Sequence, residues 1–199
     1  MLKGSAAAAA SDDEFAAAFV GEIHRAAGDH RERDILGSIA AGRIGERFYF
    51  ETMFAENQSV FPNYLSAEAM NTGIVPGQGR WKRFKKNGYD YAFASGIASI
   101  QLWRQVNLQF GHGKQKVGHG YRSLLLSDNA FNYPFARITQ QWFKGKLRYT
   151  NIYASLMNLS PASKVPTPNT ERLFQKKAAA FQYLEFQPFR ALSIGLFQG

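Results

Sequence analysis

Two histidines set between glycines, His112 in Gly111-His112-Gly113 and His119 in Gly118-His119-Gly120, are the first residues whose spacing suggests chemistry. Paired imidazoles begin a metal site, but a tetrahedral zinc set needs four ligands, and no adjacent carboxylate or thiolate completes this one. Glycine-flanked histidines also suit a turn at a strand end, where positive φ is needed, so no metal is expected. Just downstream, Tyr121-Arg122-Ser123 and Ser127-Asp128 supply hydroxyls, a guanidinium and a carboxylate. No Gly-x-Ser-x-Gly elbow surrounds either serine, so nucleophilic catalysis has no frame. The expected role is loop anchoring, with Arg122 donating in a fork to Asp128 while Ser and Asp close local backbone turns.

The run Trp81-Lys82-Arg83-Phe84-Lys85-Lys86 is the densest basic patch. Aromatics between cations suit single-stranded nucleic acid, where rings stack on bases and ammonium groups meet phosphates. They also suit a loop at an anionic membrane leaflet, with Trp and Phe at the interface, and the hairpin rhythm of the chain makes that interfacial patch the expected reading. The glycines at 77, 79, 111, 113, 118 and 120 lead into no Gly-Lys-Ser or Gly-Lys-Thr ending and form no Gly-x-Gly-x-x-Gly before a helix. Nucleotide cradling is therefore unsupported and no cofactor is expected. With no complete set of catalytic groups or metal ligands at a recognised spacing, the chain reads as a non-enzyme.

The elements that position these residues read as strands. Segments at 34–42, 46–55, 89–101, 104–112, 135–143, 146–158, 174–186 and 190–198 alternate in character. Val106, Leu108 and Phe110 share one face and Gln105, Asn107 and Gln109 the other, the period-2 pattern of a strand wet on one side. Leu192, Ile194 and Leu196 repeat it, as do Phe48, Phe50 and Phe54 against Arg47, Tyr49 and Glu51. Short connections at 43–45, at Trp103, at 144–146 and at 187–189 pair these segments into four hairpins. Between the hairpins lie long segments at 56–88, 113–134 and 159–173, the last marked as an exposed loop by Pro161, Pro166 and Pro168. Short turns alternating with long loops is the rhythm of an outer-membrane barrel. A soluble sandwich core is the competing class.

Composition sets the bounds. At 199 residues and 45% hydrophobic content the chain is long enough and apolar enough for one ordered domain. Its 15% aromatic and 20% charged residues favour sheet over helical bundle. It has no cysteine, which removes disulfides and thiolate chemistry. No run of about 18 apolar residues exists to make a membrane helix, which leaves a membrane barrel open because barrel strands alternate. Residues 1–32 form an Ala-rich segment without a clear assignment, too weakly apolar for a secretory signal and broken by Asp12-Asp13-Glu14. Residues 33–199 carry the strands and loops.

The string Gln109-Phe110-Gly111-His112-Gly113, continuing to Val117-Gly118-His119-Gly120-Tyr121-Arg122-Ser123-Leu124-Leu125-Leu126-Ser127-Asp128 and Asn132-Tyr133-Pro134, resembles the capsule-assembly Wzi family. It is most similar to the gliding-motility RemB-like members from the Bacteroidota. Val75-Pro76-Gly77-Gln78-Gly79 followed by Asp90-Tyr91, Glu56-Asn57-Gln58, and Leu192-Ser193-Ile194-Gly195-Leu196-Phe197 add to the likeness, which covers roughly residues 34–199. The resemblance implies an outer-membrane β-barrel without catalytic chemistry, tied to exopolysaccharide or to a gliding or secretion complex. Its implied partners are outer-membrane lipid and lipopolysaccharide, exopolysaccharide and other envelope proteins, with no nucleic acid. Family members are usually larger, so this chain is expected to be part of a longer barrel. The soluble alternative is an all-β module with a basic, aromatic nucleic-acid-binding face.

The loop at 113–134 is expected to fold into the barrel lumen rather than stay outside it, because Leu124-Leu125-Leu126 and Phe131 would otherwise expose a cluster of apolar side chains.

Overall fold

The computed structural model describes residues 5–7, 18–20, 22–26, 33–121, 123–157 and 176–199. Among the described residues there are twelve strands: β1 (Ser5–Ala7), β2 (Ala18–Val20), β3 (Glu22–Ala26), β4 (Arg33–Ile44), β5 (Phe48–Ser59), β6 (Trp81–Phe84), β7 (Gly88–Trp103), β8 (Val106–Gly113), β9 (Tyr133–Trp142), β10 (Leu147–Met157), β11 (Lys176–Phe189) and β12 (Leu192–Gln198). One helix, α1 (Asn63–Thr72), joins them, and no helix among the described residues is long and apolar enough to cross a membrane.

The main sheet is an antiparallel meander in the order β12-β11-β10-β9-β8-β7-β5-β4-β3, with β6 added beside β7. It does not close on itself: β3 and β12 are its edges among the described residues. Four tight turns, at 45–47, 104–105, 143–146 and 190–191, lie at one end; the third covers its expected position and the others fall one to three residues beyond theirs. Gly45 and Gly145 supply positive φ in two of them. At the opposite end the described long connections pack as a cap. The expected 159–173 loop and the Arg122–Asp128 fork lie on or depend on residues outside those described.

Two sequence expectations need correction. The segment at 56–88 is not a loop. β5 runs on to Ser59, and α1 follows, stopped where Gly73 adopts φ 76° and donates its N–H to the carbonyl of Ala69 at 2.8 Å. The basic run then forms strand β6 and its turn rather than an open interfacial loop. The Ala-rich segment, for its part, contributes β1–β3, with β3 pairing β4 and β1 pairing only β2.

Strand alternation gives the sheet two unlike faces. On one, cross-strand rows read Ile44–Phe48–Ile100–Leu108–Ile138 and Phe50–Ala98–Phe110–Ala136–Tyr153. Nearer the tight turns this open face carries Trp142, Leu147, Phe186 and Ile194 in one row. Asn151 and Gln182 interrupt the apolar pattern, the latter accepting from the Tyr149 hydroxyl at 3.2 Å. The other face is covered by the cap at its loop end and polar toward the turns. One of its rows runs Gln101–Asn107–Thr139–Thr150–Tyr183, the next Ser99–Gln109–Arg137–Ile152–Phe181.

Apolar cores form on the covered face and within the cap, as burial of apolar area requires. Val117 drops onto Tyr133, Phe135, Ile152 and Ala154, with Leu126 and Phe181 beside them. The second core joins Ala69 and Val75 to Tyr89 and Tyr91, closed by Phe61 and Trp81.

Candidate functional site

The polar groups converge where the 114–132 connection folds back over the covered face. Its backbone is pinned first: Val117 and Leu126 form an antiparallel bridge, and the Ser123 hydroxyl donates to the Val117 carbonyl while accepting from Leu125 N–H at 3.2 Å. Ser127 makes the analogous local turn, accepting from Asn129 N–H at 3.1 Å. Both serines thus act as the loop anchors expected of them. Leu126 and Phe131 are partly buried as expected, but Leu124 and Leu125 are exposed, and the buried anchor is Val117.

Beneath this loop, Gln115 is 4% exposed and holds Arg137 in place. Its backbone N–H donates to the Tyr133 hydroxyl at 3.2 Å, and its Oε1 accepts from Arg137 Nη1, also at 3.2 Å. Arg137 Nε donates to the Thr139 hydroxyl at 3.3 Å. Next to it, Glu185 meets His119 Nε2 at 3.3 Å and Arg148 Nη1 at 3.5 Å, and accepts from Ser193 Oγ at 3.0 Å. Lys116, His119, Arg137, Arg148, Tyr183 and Glu185 border a cleft of about 160 Å³.

The two histidines do not come together. His112 lies in β8, opposite Pro134 and on the open face by alternation, whereas His119 reaches Glu185 across the covered face. Gly111 and Gly113 are strand residues, not turn residues with positive φ; of the four flanking glycines only Gly118, at φ 102°, takes that conformation. Among the described residues no three His, Asp or Glu side chains converge as a metal set. Tyr121 points largely into solvent at 90% exposure.

The aromatic members of the basic run are spoken for. Trp81 donates its Nε1–H to the Ala69 carbonyl at 2.7 Å and packs edge-on to Tyr89, and Phe84 is half-buried. Lys82, Arg83, Lys85 and Lys86 remain exposed. Trp81 is therefore a structural residue of the cap, a role that its cationic neighbours conceal in the sequence.

A second cleft, of about 550 Å³, opens between α1 and the 129–133 segment. Glu68, Asn71, Asn129 and Asn132 bring amides and a carboxylate to it, and Phe131 and Tyr133 bring rings. Asn132 is 4% exposed; its Nδ2 donates to the Ala94 carbonyl at 2.6 Å, while its Oδ1 is buried without a protein partner. That bond fills a break in the β7 edge, where β6 ends its pairing at Tyr91 and β8 begins at Gly96. Gly79 occupies the same break, close enough to the Ala92 carbonyl that a methyl group would collide with it. Lys114 joins the parts, donating to the Gly77 carbonyl at 2.6 Å with its ammonium 5.3 Å from the centre of the Phe93 ring. Burial holds this ammonium below the usual lysine range, with Asp128 pulling the other way. Sequence inspection singled out neither Gln115 nor Arg137 as site residues; an arginine at an inward position of an otherwise polar–apolar strand was the available signal.

Set against protein-family models, curated proteins and solved structures, the chain finds no match.

Proposed function

We propose that this sheet is a membrane-spanning part of an outer-membrane β-barrel, with the open face against lipid and the covered face lining the lumen. The observation that carries the reading is the segregation of the two faces. Large apolar side chains such as Phe110, Tyr153 and Leu196 are 45%, 54% and 66% exposed on the open face, while Gln109, Arg137, Thr139 and Thr150 turn toward the covered one. A water-soluble domain rarely exposes a contiguous apolar surface of more than a few hundred Å². A barrel in lipid needs one, and its aromatic residues gather near the band's margins. The tight turns then lie at the periplasmic end and the cap at the cell surface. Unpaired strand edges are not tolerated in hydrocarbon, so β3 and β12 are to be continued by further strands in the complete barrel.

In this reading the protein is a non-catalytic structural or binding component of the cell surface. It serves capsule or exopolysaccharide attachment, or acts as a subunit of a gliding or secretion complex. Support comes from the likeness of the 109–134 string to the Wzi family. It comes also from the cap cleft, whose amides, carboxylate and rings are the groups that recognise sugar hydroxyls and sugar faces. The decisive experiment is fractionation followed by electrophoresis with and without boiling. Recovery in the outer membrane with heat-modifiable mobility is expected; a monomer that stays in aqueous buffer without detergent would overturn the assignment.

A further inference from the structure

We propose that the cleft bordered by Lys116, Arg137 and Arg148 binds an oxyanion, a carboxylate or phosphate group carried on a saccharide or free in solution. The inference goes beyond the membrane reading, since it needs only the folded 114–132 connection over the covered face. It starts from a charge imbalance. Lys116, Arg137, Arg148 and His119 face this cleft, and Glu185 is the single carboxylate among its lining residues.

Glu185 is already engaged by Arg148, His119 and Ser193. Arg137, the most enclosed of the cations, has only neutral partners, Gln115 and Thr139, and no ion pair forms on it among the described residues. A guanidinium taken out of water without a counter-charge is costly. An incoming oxyanion supplies that charge and matches the planar donor fork of arginine.

The site is also organised in advance. Gln115 is fixed by Tyr133 and in turn fixes one Arg137 nitrogen, so this guanidinium does not have to be ordered by the ligand. At about 160 Å³ the cleft holds the equivalent of about five waters, room for one phosphate or the carboxylate end of a sugar acid rather than a whole oligosaccharide. Lys116 and His119 lie on the loop and Arg137, Arg148 and Glu185 on three adjacent strands, so a bound anion would tie the loop to the sheet.

The test is thermal unfolding and titration calorimetry of the full chain in detergent, with inorganic phosphate, a short polyuronate and neutral glucose as probes at matched ionic strength. Phosphate, polyuronate or both should raise the melting temperature, and glucose should not. Stronger binding of the polyuronate assigns the group to an acidic saccharide; binding of phosphate alone assigns it to phosphate. Arg137→Gln removes the central donor, and because Arg137 also supports the fold, Lys116→Gln is the companion variant at an exposed position. Each should weaken binding about tenfold or more, the loss of one charged hydrogen bond, whereas Lys85→Gln on the far hairpin should leave it unchanged. No response to either anion, an equal response to glucose, or unchanged affinity in Lys116→Gln would overturn the proposal. Heat-modifiable mobility is read separately, so failure of the anion site and failure of the barrel reading are told apart.

Discussion

Tyr91 and Phe110 are aromatic residues on neighbouring strands of one sheet, yet the first is 4% exposed and the second 45%. Tyr91 has been covered by the chain itself, through Phe61, Val75 and α1; nothing among the described residues covers Phe110. The cap therefore follows the rule of a water-soluble core, and the open face does not. Apolar content alone thus says little about a sheet protein. What matters is whether the chain spends its connections on covering a face, and here it covers only one.

That contrast is open to direct attack. The largest effect is expected in the cap, where Tyr91→Ala should cost about 3–5 kcal/mol by removing a buried ring, measured as unfolding by urea in detergent. A loss near zero would mean that the cap is not a true core. Placing a charge on the open face is the sharper experiment: Phe110→Arg should cost about 2–4 kcal/mol in a bilayer, whereas on a face in water it should stay within about 0.5 kcal/mol. Intermediate in size, Gly79→Ala should destabilise by about 1–3 kcal/mol through its collision with the Ala92 carbonyl, and proteolysis of the cap should speed up with it. At the small end, Lys85→Ala in the exposed β6–β7 turn should fall within about 0.5 kcal/mol in the same assay.

Much of this architecture was legible beforehand because period-2 alternation is a strong signal when one face is apolar and the other polar. Val106, Leu108 and Phe110 settled β8, and the eight expected strands correspond to β4, β5 and β7–β12. Three of the four turn positions slipped by one to three residues because alternation continues to the strand end and does not mark where pairing stops. The helix was missed: Leu65, Ala67, Glu68, Ala69 and Met70 are good helix formers, but the run is ten residues long and lacks a side-chain N-cap. Trp81 misled for another reason, since its burial depends on α1 and on Tyr89, which no local pattern reveals. The same holds for the polar cleft. Arg137 and Glu185 are 48 positions apart, and only strand register brings them to the same region. By contrast, Ser123 and Ser127 were readable as anchors because their bonds close within a few residues.

Along the meander, among the described residues every strand from β7 to β12 pairs only with its neighbours in sequence, apart from the β5–β7 pairing. Each hairpin is consequently a module that can be added to or removed from the free margin without rethreading the rest. Duplication of a unit like β11–β12 would widen the assembly by two strands, with each new tight turn falling at the same end and each new long loop at the other. Such an architecture lets the width of the sheet and the repertoire of its long connections change by whole increments while the existing ladders keep their register. Change at the β5–β7 junction is far more constrained, because the helix, β6 and the Gly79–Asn132 patch must all be accommodated together.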